Sequence, residues 1–362
     1  MNGLVEVFAT EPTRAQLIWR RRGAGRSVVR VGAQTLSPQS SDAIVAWELH
    51  DLTPGATIPI LVNDEPVGSV TTMPSLGDTR PDRIATISDL HLGEPGFGFL
   101  PRRQRPDGDH ALICLRAALT EIVAWQADVL VVKGDIAHEP NQATYDLFAD
   151  EIAATGLKVI ILPGNHDGGN HRGVPMIESL ARVGHVLTEE FTLVDLEHVR
   201  VIAASSLRRG NGLGRIEAAD AVFAAAGSAP SSVLLATHHQ CNALPVPTYW
   251  PPGIPYHEAR RFLDALAEAN PRTLMTSGHT HRHRARRHGP LMITEVGSTK
   301  DYPGAWAGYL AGSDAVVQVV RRVADPEALR WTESTRSTVA NVWGKWSAGS
   351  IDHRSFHHPW PS

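Results

Sequence analysis

The hydrophobic pattern of the chain changes character near residue 80. Before it, short apolar runs alternate with turn residues. Ala15–Trp19, Ser27–Val31, Ala43–Trp47 and Thr57–Val62 carry β-branched or aromatic residues. Arg22-Gly23-Ala24-Gly25, Pro54-Gly55 and Asn63-Asp64 separate them. Short strands at this spacing predict a small β-sandwich over residues 1–78. The polar, Gly- and Pro-broken stretch 74–81 reads as the linker that follows it.

Beyond the linker the runs become fully apolar and alternate with helical spacing. Ile84–Ser88, Val129–Val132 and Lys158–Leu162 read as strands, with helices over about 109–126 and 141–155 between them. Strands buried on both faces predict parallel pairing with helices as cover. Val199–Ala203, Ser232–Thr237 and Thr273–Ser277 continue the series. Met292–Val296 and Ala315–Val320 read as antiparallel strands. Residues 323–362 lose apolar periodicity but hold Trp331, Trp343, Trp346 and Trp360, which predicts a wrapping tail. The domain reading is thus 1–78, 79–322 and 323–362.

Composition narrows the function class. With 34 Lys and Arg against 38 Asp and Glu, the net charge of −4 argues against a globally basic nucleic-acid binder. Two cysteines, Cys114 and Cys241, cannot build a disulfide framework. No apolar stretch approaches membrane-spanning length and no signal-peptide pattern opens the chain, so the expectation is a cytoplasmic protein without a membrane partner. The informative excess is histidine, at 18 residues.

Those imidazoles cluster by position. Asp89 and His91 follow one predicted strand, Asp135 the next, and Asn165 and His166 the third. His238 and His239 follow another, and His279 and His281 another. Each fragment alone is weak. Five in succession after strands put metal-binding side chains at one sheet edge, where α/β sheets build sites. Residues two apart in an extended segment point the same way, so Asp89 with His91, and His279 with His281, are expected to converge. His238 and His239 compete for one position. Alternation from the strand favours His238, and His239 stays open as the alternative.

The set Asp89-Leu90-His91, Gly134-Asp135, Gly164-Asn165-His166-Asp167, His238 and Gly278-His279-Thr280-His281 resembles the calcineurin-like metallophosphoesterase superfamily over roughly residues 83–322. With its Asp-x-His and Gly-Asn-His-Asp motifs it resembles the class III cyclic-nucleotide and glycerophosphodiester branch. The resemblance implies an α/β four-layer fold, with two central sheets face to face between helices. It implies two metal ions bridged by Asp135, one completed by Asp89, His91 and His281, the other by Asn165, His238 and His279. Residue types without cysteine suit Fe, Mn or Zn. By the same resemblance His166 contacts the phosphate or protonates the leaving oxygen, with Asp167 to orient it, and Asn165 also faces substrate. The expected reaction is hydrolysis of a small phosphate ester by a metal-bridging hydroxide, with a diester preferred. A phosphomonoesterase or protein phosphatase of the same fold is the alternative, and a non-catalytic metal-bound scaffold the alternative of another class. The order Trp19, Leu52-Thr53-Pro54-Gly55, Thr71-Thr72-Met73-Pro74 resembles the fibronectin-III-like module of purple acid phosphatases. Their metal-binding tyrosine is missing after Asp135, and His91 stands where they have Asp.

The basic run His281–His288 reads as a solvated hairpin, with Arg282 the one candidate substrate contact. Gly93–Arg105 reads as a cleft wall, and the loop Gly297–Gly304 offers Lys300 or Tyr302 to a phosphate. The aromatic, proline-rich loop Pro245–Tyr256 is either a stacking platform or structural cover. Asn170 and His171 read as loop. The sequence does not set an oligomeric state.

Overall fold

A computed structural model describes residues 4–361 apart from 22–26, 38–42, 78–79, 98–102, 105–109, 169–172, 182–185, 209–211 and 246–250. Asn170, His171 and parts of the stretches 74–81, 93–105 and 245–256 therefore lie outside the described residues.

The front of the chain is all β. Leu4–Thr10, Ala15–Arg20 and Ile44–Leu49 pair antiparallel in that order. Gln34–Leu36, Val29–Val31, Thr57–Val62 and Glu65–Thr71 form a second antiparallel sheet. Strand alternation sorts the side chains. Leu17 and Trp19 meet Val29, Val31, Ile60 and Val70 in one apolar cluster between the sheets. Phe8 and Ile18 face the other way, into the main core. The sandwich is therefore docked as well as folded.

Among the described residues, the main part has two large mixed sheets. One runs Val186–Leu187, Val159–Leu162, Val129–Lys133, Asp82–Ile87, Ala305–Ala311, Ala315–Arg322, Ser355–Pro359. The other runs Phe191–Asp195, Val199–Ala204, Ser232–Ala236, Thr273–Ser277, Leu291–Glu295, Arg284–His288. The alternation along Val199–Ala204 explains the layering. Val201 and Ala203 join the first sheet's residues in the central core, while Ile202 and Ala204 pack outward. That outward cluster includes Val222 of the helix Ala219–Gly227 and Leu263 of the helix Tyr256–Ala269. The helices His110–Ala124 and Gln142–Ala153 bury apolar residues against the other sheet. Leu291–Glu295, expected antiparallel, pairs parallel with Thr273–Ser277, and only its hairpin partner Arg284–His288 is antiparallel.

The last residues do more than wrap. Pro326–Thr335 is a helix started by Asp325, whose side chain accepts from the Glu327 and Ala328 amides. Ser355–Pro359 then adds an edge strand to the first sheet. Polar contacts join this end to the front module. Arg321 is paired with Glu11 and Glu48. The Gln16 amide exchanges two 2.8 Å bonds with the Arg322 backbone. Arg354 donates to Phe8 O at 2.9 Å, and Thr10 N to Ser355 Oγ at 3.1 Å. No helix among the described residues is long and apolar enough to cross a membrane.

One buried carboxyl in this core gives a stability prediction. Glu121 accepts from Trp306 Nε1 at 2.8 Å and from Ala324 N. Burial, only partly offset by these donors, pushes its pKa from 4.5 up to about 7. Between those values the folded state holds a proton that the unfolded chain has lost. Stability therefore falls as pH rises through that window. Glu121→Gln stays neutral throughout. Its Tm relative to the parent is expected to climb between pH 5 and 8, and parallel Tm–pH curves would refute the assignment.

Candidate metal centre

Each sequence fragment leaves its strand at the same end of the two sheets. The backbone ladder continues past the strands, so the loops are held in register. Asp89 N donates to Gly134 O, His91 N to Asp135 O, and Gly278 N to His238 O. At that end the chain turns into a conformation that side chains rarely adopt. Asp89, His91, Asp135, His279 and His281 have φ of 55°, 45°, 54°, 68° and 50°. Non-glycine residues in the left-handed region cluster at functional sites, because the surrounding structure must overdetermine them. Asp89 and His91 thus converge through left-handed turns, and not through the extended pleat that the sequence suggested, whereas His279 and His281 part, one toward His238 and the other toward Asp89.

Glycines make the close approach feasible. A Cβ on Gly278 would stand 1.8 Å from Ser88 Oγ and 2.7 Å from Asp89 Oδ2. One on Gly164 would stand 2.1 Å from Asp135 Oδ1. These two glycines therefore leave the space that a neighbouring carboxylate occupies.

The side chains form two groups around one carboxylate. Asp135 Oδ2 lies 3.6 Å from His91 Nε2 and 3.5 Å from His238 Nε2. Its other oxygen accepts from His166 N at 2.8 Å. On one side, ligand atoms of Asp89, His91 and His281 lie within 4.8 Å of one another. On the other, His238 Nε2 is 3.0 Å from Asn165 Oδ1 and 3.2 Å from His279 Nδ1. Three rings are fixed by their far nitrogens. His238 Nδ1 bonds Lys133 O at 2.7 Å, His279 Nε2 bonds Pro252 O at 3.3 Å, and His281 Nδ1 bonds Asp301 Oδ2 at 2.8 Å. Such outer bonds fix which nitrogen faces inward.

The electrostatics suit cations. Burial holds His91 well below its ordinary pKa, and burial with nearby His238 lowers His279 to about 3. Both rings are neutral at pH 7, with a lone pair to give. Against burial, Asp301 and Asp89 raise His281 to about 10. Burial alone would raise Asp89, but His281 holds it well below the carboxylate range. Both ring nitrogens of buried His91 lack a hydrogen-bond partner among the described residues. A buried unsatisfied imidazole calls for a partner, and beside two carboxylates a cation would supply one. The donor set of imidazole, carboxylate and amide oxygen therefore fits divalent transition metals.

The remaining expected residues fall less uniformly. His238, and not His239, faces Asp135 and Asn165. His239 turns to Ser206 Oγ at 3.0 Å, although its ring still packs on His279 at 4.5 Å. His166 is half-buried, its Nδ1 on His138 O at 3.0 Å and its ring edge against His91. Asp167 does not take the orienting position expected of it. It accepts from Gly164 N at 2.9 Å, from Ile136 N and Ala137 N, and from Tyr145 OH. It pins the loop backbone, and burial with the Asp135 charge raises its pKa to about 6. Arg282 is buried against Glu295 at 2.7 Å and lies over the Trp346 ring, so its guanidinium serves the scaffold instead of the surface. Lys300 pairs with Glu94, and Tyr302 bonds Arg20 in the docking seam. Sequence reasoning passed over Asp301 between those two. His138, which shares the His91 and His166 corner, was missed too, although it follows Gly134-Asp135 by three residues.

A family model described as calcineurin-like phosphoesterase matches residues 82–283, more than half of the chain. The chain belongs to this family. As a calcineurin-like phosphoesterase it is a phosphoric ester hydrolase. It is similar to a probable cyclic nucleotide phosphodiesterase of Psychrobacter arcticus, with 24% identity over 60% of this chain and 79% of the relative. It is 34% identical to the 3′,5′-cyclic adenosine monophosphate phosphodiesterase CpdA of Escherichia coli, over 27% of this chain and 34% of that one. Among solved structures, a dimetal phosphatase from Danio rerio superposes with a TM-score of 0.54 at 11% identity, covering 78% of this phosphoesterase and all of that chain. That likeness concerns the fold. The two sheets face to face between helices, preceded by an all-β module, are the architecture expected from the motifs.

Proposed function

We propose that this phosphoesterase cleaves phosphodiesters at a dimetal centre, with cyclic nucleotides the favoured class. One observation carries the reading. A single oxygen of Asp135 stands between His91 of one group and His238 of the other. Asp89, His91 and His281 would hold one ion, Asn165, His238 and His279 the other, and Asp135 both. Iron, manganese or zinc suits these donors. When bound, such a pair polarises phosphoryl oxygens and lowers the pKa of a water. Residues 79–322 are proposed as the catalytic unit, in a cytoplasmic setting. The names of the Psychrobacter and E. coli relatives support the diester preference.

The chain's own groups do the remaining work. Asn165 brings a neutral oxygen, which limits the negative charge around a phosphate. His166 has its Nδ1–H held by the His138 carbonyl, an acceptor that suits both the neutral and the charged ring. The proton is therefore gained and lost at Nε2. A leaving alkoxide needs that proton, and a general acid at hydrogen-bond reach supplies it. Asp167 keeps the Gly164–Asp167 turn from moving while this happens.

The test is hydrolysis of bis(p-nitrophenyl) phosphate against p-nitrophenyl phosphate by metal-stripped protein titrated with Mn²⁺, Fe²⁺ or Zn²⁺. Metal-restored turnover of the diester is expected. Turnover of the monoester alone would overturn the diester reading in favour of a phosphatase. Silence on both with two ions bound would favour a scaffold.

A further inference from the structure

The region matched by the family model ends at residue 283, yet a later segment lies against the centre. The Trp343 ring stands 6.1 Å from the His281 ring and 5.1 Å from that of Phe97. Several contacts hold the segment there. Trp331 Nε1 donates to Lys300 O at 2.7 Å, next to Asp301. His283 N donates to Ser347 O at 2.9 Å, and Trp346 lies on the Arg282 guanidinium at 4.4 Å. The turn before Trp343 is costly. Val339, Ala340 and Asn341 all have positive φ, and a β-branched residue there is a marked outlier. Its neighbours Val339 and Val342 stay exposed, so burial of apolar surface does not explain the turn. The conformation places an indole beside His281. Both rings keep partial exposure.

We propose that Trp343 is a specificity-determining residue, its half-buried indole, backed by the buried Phe97, receiving the planar organic group on the non-leaving side of the ester. The phosphate sits at the carboxylate–histidine centre, and the group one sugar or ester bond away meets the indole. Stacking on an aromatic face tolerates any base or aryl ring, so the indole selects planar groups over alkyl ones. This rests on the phosphoesterase centre proposed above.

Manganese-loaded parent, Trp343→Ala and Trp343→Phe proteins would be compared by calorimetry with inorganic phosphate and with adenosine 5′-monophosphate. The alanine variant is expected to bind the nucleotide roughly tenfold more weakly and phosphate unchanged, with phenylalanine restoring most of the difference. In turnover, KM for bis(p-nitrophenyl) phosphate should rise by about the same factor while ethyl p-nitrophenyl phosphate, with the same leaving group, is unaffected. Trp343→Leu keeps the bulk without a ring face and serves if the alanine variant does not fold. Equal losses on phosphate and nucleotide, or on both esters, would make Trp343 a mere support for His281 and overturn its specificity role alone. A parent inert to phosphate and to both esters would overturn centre and specificity role together.

Discussion

Asp135→Asn is expected to abolish paired metal binding while leaving the protein folded. The amide keeps an oxygen to accept from His166 N, at 2.8 Å in the parent, and matches the carboxylate in size beside Gly164. What it loses is the charge shared between His91 and His238. A carboxylate can serve two cations, and a neutral amide cannot balance them. Several kcal/mol of transition-state stabilisation depends on the pair, so turnover should fall by at least ~10³-fold. Elemental analysis after dialysis should give at most one ion per chain, with an unchanged circular dichroism spectrum. Two retained ions and retained turnover would remove Asp135 from the bridging position.

His166→Gln is expected to do the reverse, slowing chemistry with both ions in place. Its Nδ1 bonds His138 O, and its ring shares a corner with His91 without replacing it. Loss of a general acid typically costs about 10²–10⁴-fold. The size of the loss should depend on the leaving group. A p-nitrophenolate departs with little help, whereas an alkoxide needs a proton. The variant should therefore lose far more rate on an alkyl diester than on bis(p-nitrophenyl) phosphate. A uniform loss across leaving groups, or loss of metal, would contradict proton transfer from Nε2.

The centre was legible because its chemistry is local in sequence. Every proposed ligand lies within a few residues of a fully apolar run, and strand direction alone delivers it to the right edge. Why the residues converge was not legible. Pleat alternation gave the right pairs for Asp89 and His91 by the wrong route, since a left-handed φ leaves no mark on residue type at Asp or His. Asp167 looked like a partner for His166 because it is adjacent. In the structure adjacency matters less than the three loop amides that converge on its carboxylate. Arg282 looked available because it stands next to His281, but Glu295 across the hairpin and Trp346 about sixty residues on claim it. Trp343 was legible only as one of four tryptophans in a tail without periodicity. Its position depends on contacts between segments far apart in the chain, which periodicity cannot see. The front strands Gln34–Leu36 and Glu65–Thr71 escaped for a simpler reason: one is three residues long, and the other leaves all but Val70 open to solvent.

The docking seam has a consequence for how the molecule is assembled during synthesis. Glu11 and Arg321 are 310 residues apart, and Arg354 and Phe8 are 346 apart. The front sandwich has its own apolar cluster and can form as soon as it emerges, as leading domains do. Glu11 and Glu48 then wait in water until Arg321, which pairs with both, has been made. The metal-binding loops are complete by residue 281, well before the seam. Ribosome-bound chains halted near residue 300 should therefore carry every proposed metal ligand yet lack the clamp, the final edge strand and the indole beside His281.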